Sequence, residues 1–329
     1  MQVLLRHLRL MTLAVLLCGS GQALAQSGPP TKASLRLDWK GGAQHAPFYL
    51  AKDRGYYKEE GIELDIISGS GSSDVVKQVG SNAVEFGVAD ALVLVQGAEQ
   101  GVPVKAIAAY YQRTPIVVIS PQAKPVTDPQ QLTQGVKLGS KKGSATFQGL
   151  TALLAANNIP SEQIKLVDIG FGVQPLLVKQ VDALMGFSMN EPIEAEAAGM
   201  PVTTMAISDH GVDAYGLMIV SSPVLIGKNP AMEKGFLRAT ARGMSDALKD
   251  PAAAVSAVTK AMSETDPARE AKVLERTIPY FNSDDTKAHG AGWQTEARWS
   301  HTIDVAKKLG LVERDLPAGR VFTNDLLPQ

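Results

Sequence analysis

The chain carries few side chains of the types that perform catalysis, and their spacing forms none of the common catalytic patterns. Its five histidines are His7, His45, His210, His289 and His301. No two of them have the three- or four-residue separation that places a metal-binding pair on one face of a helix. No G-x-S-x-G nucleophile elbow occurs. A lone cysteine, Cys18, excludes a disulfide framework or a cysteine-based metal site. We therefore expect no catalytic residue, no metal and no cofactor.

Two stretches rich in glycine and serine have the composition of phosphate loops without their spacing. Residues 139–144 lack the G-x-x-x-x-G-K-[ST] pattern, and residues 68–71 are not a dinucleotide fingerprint. Each stretch nevertheless precedes a predicted helix, whose first amides carry positive partial charge. They are candidate contacts for a carboxylate, sulfonate or phosphate group, although plain capped loops remain the alternative. The candidates are Ser70, Gly71 and Ser72 in one loop, and Gly143, Ser144 and Ala145 in the other, where Lys141 and Lys142 add charge.

Further candidates follow the first and third predicted strands. Trp39 lies at the carboxyl end of the first strand, where open α/β sheets hold ligands, and its indole could stack on a ring or pack between elements. His45 could hydrogen-bond a ligand in its neutral form, or be a capping or surface histidine. Ala89 and Asp90 follow the third strand, and Asp90 could accept an amino group or cap a helix. Tyr111 could stack on a ligand or belong to a hinge.

The last candidates are Asn190 and Glu191, at the end of a later strand and just before Pro192. A carboxylate can accept two hydrogen bonds from the edge of an aminopyrimidine-like ring, which makes Glu191 a candidate polar contact. The same residue would also be favourable in the first turn of a helix, because the helix dipole attracts negative charge there.

The pattern of apolar residues predicts the strands and helices that position these candidates. Strands are predicted at 35–37, 62–66, 84–88, 104–109, 116–119, 136–138, 166–168, 181–187 and 217–220, with helices between several of them. Strands that alternate with helices indicate βαβ units, and therefore an α/β fold with mainly parallel sheets. After Ser222 only helices are predicted, three of them beginning at Asn229-Pro230, Asp250-Pro251 and Asp266-Pro267.

The pattern predicts two α/β lobes with a ligand cleft between them. The first lobe would contain residues 31–120 and 221–329, and the second lobe residues 121–220. The chain would then cross between the lobes twice, near Ser120 and near Gly216, and two crossings form a hinge. A single doubly wound domain with a helical extension is the rival arrangement.

Composition and the first 25 residues point to an exported protein. The net charge of −1 and the absence of basic runs argue against a nucleic-acid partner. Arg6 and Arg9, a short apolar run and Ala23-Leu24-Ala25 form the pattern of a secretory signal peptide, with cleavage expected after Ala25. Cys18 as a lipid-anchor cysteine is disfavoured, because Leu17 before it is too bulky for that signal. We expect a periplasmic monomer.

Several connected motifs resemble one known family. They are Asp38-Trp39, the segments 45–52, 55–57 and 60–62, Glu85 to Ala89, and Asn190-Glu191-Pro192. Their order resembles the periplasmic substrate-binding proteins of ABC importers, in the alkanesulfonate, nitrate and thiamine-precursor group. The resemblance implies a type II, two-lobed periplasmic-binding-protein-like fold that closes on a small molecule. It also implies an ABC permease in the inner membrane as the partner.

The same group contains an enzymatic branch, the thiamine-pyrimidine synthases. These resemble the binding proteins in fold, but use a lysine and a histidine four residues later, and carry a cysteine cluster near the return strand. The resemblance places those two positions at Ala89 and Val93, and residues 217–220 contain no cysteine. Since alanine cannot form a Schiff base and valine offers no imidazole, the sequence favours a binding protein over an enzyme.

Three classes of function therefore remain, in decreasing order of support. A solute-binding protein of an importer accounts for the signal peptide, the double crossing and the missing catalytic set. A synthase-like enzyme is disfavoured by Ala89 and Val93. A ligand-sensing module for a membrane receptor is the third, and a neighbouring ATPase and permease gene would separate it from the first. The ligand stays open among thiamine-pyrimidine-like and other flat heterocycles, sulfonates and aromatic carboxylates.

Overall fold

The computed structural model describes residues 29–308 and 310–328, which form two five-stranded sheets flanked by helices. The signal peptide predicted over residues 1–25, with Cys18, lies outside the described residues. Within the described part of the chain, no helix is long and apolar enough to cross a membrane.

The ten strands of the described chain are divided equally between the two sheets. They are β1 (Thr31–Arg36), β2 (Ile62–Ile67), β3 (Phe86–Asp90), β4 (Lys105–Ala109), β5 (Ile116–Pro121), β6 (Lys137–Ser140), β7 (Lys165–Asp168), β8 (Ala183–Phe187), β9 (Val202–Ala206) and β10 (Leu217–Ser221). The strand orders are β2-β1-β3-β10-β4 and β7-β6-β8-β5-β9. Strands β10 and β5 run antiparallel to both of their neighbours, and the remaining pairs are parallel. The predicted α/β class with two mainly parallel sheets is confirmed.

The helices cover the sheets and form the carboxyl-terminal part of the chain. They are α1 (Ala46–Asp53), α2 (Tyr56–Glu59), α3 (Ser72–Gly80), α4 (Ala91–Glu99), α5 (Ala145–Ala156), α6 (Gln174–Leu177), α7 (Glu191–Ala197), α8 (Pro223–Lys228), α9 (Pro230–Lys249), α10 (Pro251–Ala261), α11 (Pro267–Phe281), α12 (Asp284–His289), α13 (Glu296–Lys308) and α14 (Ala318–Val321). Asn229, Asp250 and Asp266 accept backbone hydrogen bonds at the starts of α9, α10 and α11, as their cap-proline pairs predicted.

Two strands belong to the sheet opposite the one that the predicted boundaries gave them. β5 pairs with β8 and β9 in the second sheet, although residues up to 120 were assigned to the first lobe. β10 pairs with β3 and β4 in the first sheet, although residues up to 220 were assigned to the second lobe. Both strands are short apolar runs, and such a pattern predicts a buried strand without indicating which sheet it joins.

The two segments that connect the sheets lie side by side. Tyr110 and Tyr111 both donate their backbone N–H to the carbonyl of Leu217, at 2.9 and 2.7 Å, and Gly216 donates to the carbonyl of Tyr111 at 3.2 Å. A Cβ on Gly216 would lie 2.3 Å from the carbonyl oxygen of Arg113, so only glycine fits at this contact. The first crossing therefore lies between β4 and β5, before the position predicted near Ser120.

Strand β9 is absent from the sequence predictions. Its residues, Val-Thr-Thr-Met-Ala, do not alternate regularly, and only Met205 is fully buried. It is an edge strand of the second sheet, paired on one side with β5. An edge position needs little apolar surface, so local sequence carries a weak signal for it.

A buried glutamate links α9 to the return strand β10. Glu233 is fully buried, and its Oε1 accepts a 2.6 Å hydrogen bond from the Ser221 hydroxyl. Its Oε2 has no hydrogen-bond partner in the described part of the chain. Burial raises the pKa of Glu233 from 4.5 to about 7.

We expect Glu233 to make the folded protein less stable as the pH rises. Between the unfolded pKa of 4.5 and the folded value of about 7, the native state holds a proton that the unfolded state releases. The free energy of unfolding should therefore fall through this window by about 1.4 kcal/mol per pH unit from this group. Urea unfolding of Glu233→Gln at pH 5 and pH 8 should show a smaller fall than wild type.

The exposed Glu63 on β2 supplies the matched control. Glu63→Gln should keep the pH dependence of wild type, because its carboxylate is solvated in both states. An equal fall in Glu233→Gln and wild type would contradict the assignment of this pH dependence to Glu233.

Candidate functional site

Residues from both sheets meet around a small cavity between them. Its volume is about 10 Å³, roughly the space that one water molecule needs. The lining residues follow the carboxyl ends of β1, β2 and β6, or end β8, as expected for ligand sites in open α/β sheets. They are Asp38, Trp39, Gly71, Ser72, Ser144, Ala145, Thr146 and Phe187. The cavity lies between the two sheets, and a ligand cleft at this place stays a prediction.

Backbone from the two sheets comes closest at the helix starts of α3 and α5. Gly71 precedes α3 with a φ of 131°, a conformation that L side chains rarely adopt. A Cβ on Gly71 would lie 3.1 Å from the carbonyl oxygen of Gly143, which precedes α5 on the other side. Glycine is therefore favoured at position 71 for two reasons. Other residues rarely adopt this φ, and a side chain would crowd the carbonyl of Gly143.

The serine hydroxyls at these helix starts are already engaged within the protein. Ser72 accepts a 3.1 Å hydrogen bond from the backbone N–H of Asp90. Ser144 accepts one from the N–H of Phe147 at 3.2 Å and donates to the carbonyl of Lys141 at 2.6 Å. Ser70 is exposed and donates to Asp74, outside the cavity lining. The hydroxyls of Ser72 and Ser144 therefore hold the two helix starts in place.

An aromatic contact and a cation join the two sides at the edge of the cavity. The ring centroids of Trp39 and Phe171 lie 3.6 Å apart, with an angle of 63° between their planes. Lys141 Nζ lies 3.5 Å from the centroid of the Phe171 ring, a cation–π contact. Burial lowers the pKa of Lys141, opposed by the charge of Asp168. Trp39 follows β1, whereas Phe171 and Lys141 lie in loops after β7 and β6, so this contact spans the cleft.

His45 lies behind the cavity rather than on its wall. The ring is fully buried, and its Nε2 lies 2.9 Å from Oδ1 of Asp38. It precedes α1 but makes no side-chain capping bond, so the predicted capping alternative is wrong. His45 can reach a ligand only through Asp38, because the ring itself has no exposed surface.

Ala89, Asp90 and Tyr111 are buried away from the cavity lining. Asp90 accepts a 2.9 Å hydrogen bond from the N–H of Leu92 and caps α4, which is the alternative that the sequence left open. The pKa of Asp90 is raised to about 7, mainly by burial and to a smaller extent by the charge of Asp38. The Tyr111 hydroxyl donates to the carbonyl of Gln44 at 3.1 Å, and burial raises its pKa well above 10. Tyr111 therefore supports the crossing.

Asn190 and Glu191 act at the start of α7 and do not line the cavity. The Glu191 carboxylate turns back to accept the N–H of Phe187 at 2.8 Å, and burial raises its pKa to about 7. The Asn190 side chain makes no capping bond. Through this contact Glu191 holds the end of β8, whose Phe187 lines the cavity.

The cavity thus brings together Trp39, Gly71, Ser72, Ser144 and Ala145 of the predicted candidates, with Gly143 directly opposite Gly71. The sequence did not single out Asp38, Thr146, Phe171 or Phe187 as site residues. Phe171 carried a usable signal, since a large aromatic residue between Gly170 and Gly172 in a loop has little local reason to be there. Asp38 was noted only in the Asp38-Trp39 motif of the family resemblance, with no role assigned to it.

A metal centre is not supported by the described residues. Across residues 29–308 and 310–328, no group of three or more histidine, cysteine, aspartate or glutamate side chains could hold a metal ion. The polar contacts of the cavity are instead a carboxylate, hydroxyls and helix-start amides.

Comparison with known proteins identifies relatives along most of the chain. Residues 42–254 match the protein family described as NMT1/THI5 like. The riboflavin-binding protein RibY of Chloroflexus aurantiacus is 26% identical, over 93% of this chain and 89% of its own length. A 4-amino-5-hydroxymethyl-2-methylpyrimidine phosphate synthase of Legionella pneumophila is 25% identical, over 93% of this chain and 95% of its own length.

Solved structures share the fold at low sequence identity. The alkanesulfonate-binding protein SsuA of Xanthomonas axonopodis pv. citri, bound to MOPS, superposes with a TM-score of 0.69 at 13% identity, covering 90% of this chain and 99% of its own. The periplasmic nitrate-binding protein NrtA of Synechocystis PCC 6803 superposes with a TM-score of 0.71 at 13% identity, covering 90% and 87%. The fold is therefore that of the periplasmic binding proteins, as the resemblance implied.

We expect Phe171→Ala to expose Trp39 to water. Removing the neighbouring ring should shift the Trp39 fluorescence to longer wavelength, measured in a Trp293→Phe background so that fully buried Trp299 is the other emitter. Phe147→Ala, a half-buried phenylalanine on α5, should leave the emission unchanged. Unchanged emission in Phe171→Ala would show that the two rings do not touch in solution.

Proposed function

The chain belongs to the NMT1/THI5-like family, and from that premise we propose that it is the extracytoplasmic solute-binding protein of an ABC importer. It would capture a small molecule with a flat ring between its two lobes and deliver it to a permease in the inner membrane. The observation that carries the proposal is the cavity itself, because both sheets contribute its walls and Trp39 from one sheet contacts Phe171 from the other.

The division of the chain supports capture by closure. We propose a first lobe built on β1–β4 and β10 with the carboxyl-terminal helices, and a second lobe built on β5–β9. Only a closed arrangement lets both walls contact one ligand, so the ligand would stabilise that arrangement. The paired crossings at Tyr111 and Gly216 would be the hinge.

The ring-bearing part of the ligand follows from the aromatic residues at the cleft. Trp39 and Phe171 offer two apolar faces from opposite sides, and a flat ring would replace the contact that they make with each other. The relative named as a riboflavin-binding protein supports this class of ligand. Simple sulfonates lack a ring to fill that space. Export through the predicted signal peptide and a monomeric state complete the proposal.

A synthase activity is the second candidate, because several relatives are named as pyrimidine phosphate synthases. The residues that the resemblance aligns with the synthase lysine and histidine are Ala89 and Val93, and both are buried apolar side chains here. Neither can form a covalent adduct with a substrate or carry a proton.

We expect the purified protein to make no thiamine pyrimidine when incubated with pyridoxal phosphate, histidine and iron. Product should be absent by mass spectrometry under conditions in which the Legionella relative is run as a positive control. Formation of the pyrimidine phosphate would overturn the binding-protein proposal in favour of an enzyme.

We expect Trp39→Ala to weaken ligand binding by about tenfold to a hundredfold, because it removes one face of the ring site. Calorimetric titration with riboflavin and with 4-amino-5-hydroxymethyl-2-methylpyrimidine would measure this. Trp293→Ala, a half-buried tryptophan stacked on His289 away from the cavity, is the matched control and should bind as wild type. Failure of wild type to bind either compound would refute the proposed ligand class.

A further inference from the structure

Among the described residues that line the cavity, Asp38 is the only one with an ionisable side chain. It follows β1 directly, next to Trp39, and its side chain is 3% exposed. Its Oδ1 lies 2.9 Å from His45 Nε2, whereas no donor from the described residues contacts Oδ2. An acceptor oxygen that lines a cavity and has no donor from the protein is free to accept a hydrogen bond from another molecule.

His45 fixes the direction of this carboxylate. Its ring is fully buried at the start of α1, and its backbone N–H is bonded to the carbonyl of Gly42 at 2.9 Å. With the proton on Nε2, the ring donates to Asp38 Oδ1 and leaves Oδ2 free. The other ring nitrogen, Nδ1, has no partner among the described residues, so the Asp38 contact is the polar contact that orients the ring.

The charges around Asp38 determine which kind of ligand group this carboxylate can bind. Asp90 caps α4 away from the cavity lining, and burial raises its pKa, so the charge on this wall is that of Asp38 itself. Lys141 lies across the cleft against Phe171, and no contact joins it to Asp38 in the described structure. An anionic group beside Asp38 would be repelled, whereas an N–H or amino group would be attracted.

We propose that Asp38 accepts a hydrogen bond from a ring N–H or amino group of the ligand, and that His45 is the positioning residue that aims it. This inference rests on the proposed function and narrows its ligand to heterocycles that present a donor at one edge. Flat aromatic carboxylates without such a donor would bind poorly. Trp39, the neighbouring residue, would stack on the face of the same ring, while Asp38 accepts a hydrogen bond from its edge.

The test compares pairs of probes that differ only in the donor. One pair is riboflavin and N3-methylriboflavin, and the other is 4-amino-5-hydroxymethyl-2-methylpyrimidine and its 4-dimethylamino derivative. Wild type should bind the donor-bearing member of at least one pair about tenfold to a hundredfold more tightly, the range for a hydrogen bond to a charged group. In Asp38→Asn this preference should fall at least severalfold, because His45 would bond the amide oxygen and turn the NH₂ group toward the donor.

Control variants separate this role from general damage. Asp65→Asn changes an exposed aspartate on β2 and should keep the wild-type preference. His45→Gln retains a donor for Asp38 and should keep most of the preference, whereas His45→Leu should lose it. These ratios remain informative even where a variant is less stable, because both probes are measured on the same folded fraction.

The outcomes distinguish the two proposals. If wild type binds neither pair, the proposed ligand class fails and this inference fails with it. If wild type binds a pair but shows no preference for the donor, or if Asp38→Asn keeps the full preference, the function stands and the role of Asp38 is overturned. If His45→Leu keeps the preference, the positioning role of His45 is overturned.

Discussion

The pairing of the two crossing segments sets the geometry on which the site depends. Because the chain leaves the first sheet at Tyr110 and Tyr111 and returns beside them at Leu217, both connections are fixed at one place. The strands of each sheet then end facing the other sheet, and the loops after β1, β2 and β6 meet in the middle. The cavity is thus a consequence of the connection between sheets, and neither sheet contains it alone.

A chain of hydrogen bonds links this pairing to the cavity wall. Tyr110 and Tyr111 donate their hydroxyls to the carbonyl of Gln44, at 2.8 and 3.1 Å. The next residue, His45, contacts Asp38, which lines the cavity. A movement of the crossing segments would therefore be transmitted to Asp38 through the contacts of Gln44 and His45. If these paired segments are the proposed hinge, such contacts would couple ligand binding to lobe closure.

The family includes proteins named for binding and proteins named for catalysis, and one fold can serve both. The resemblance implies that the two classes differ at the buried positions after β3. In this chain the end of β3 and the start of α4 carry Ala89 and Val93, and the one acid there, Asp90, caps the helix. The polar groups that reach the cavity can accept and donate hydrogen bonds, and the hydroxyls of Ser72 and Ser144 are engaged in contacts at the helix starts.

The sequence by itself determined the α/β class, nearly every strand and the starts of α9, α10 and α11, because these follow from local patterns of apolar and capping residues. Its candidates also included Trp39, Gly71 and Ser144, which line the cavity, because strand ends and helix starts can be recognised locally. It could not assign β5 and β10 to their sheets, because pairing partners are distant in the chain. Nor could it separate Asp38 on the cavity wall from His45 behind it, or show that Glu191 turns back to Phe187. Strand pairing and side-chain orientation depend on packing between segments that are far apart in sequence, and only the tertiary structure brings these segments together.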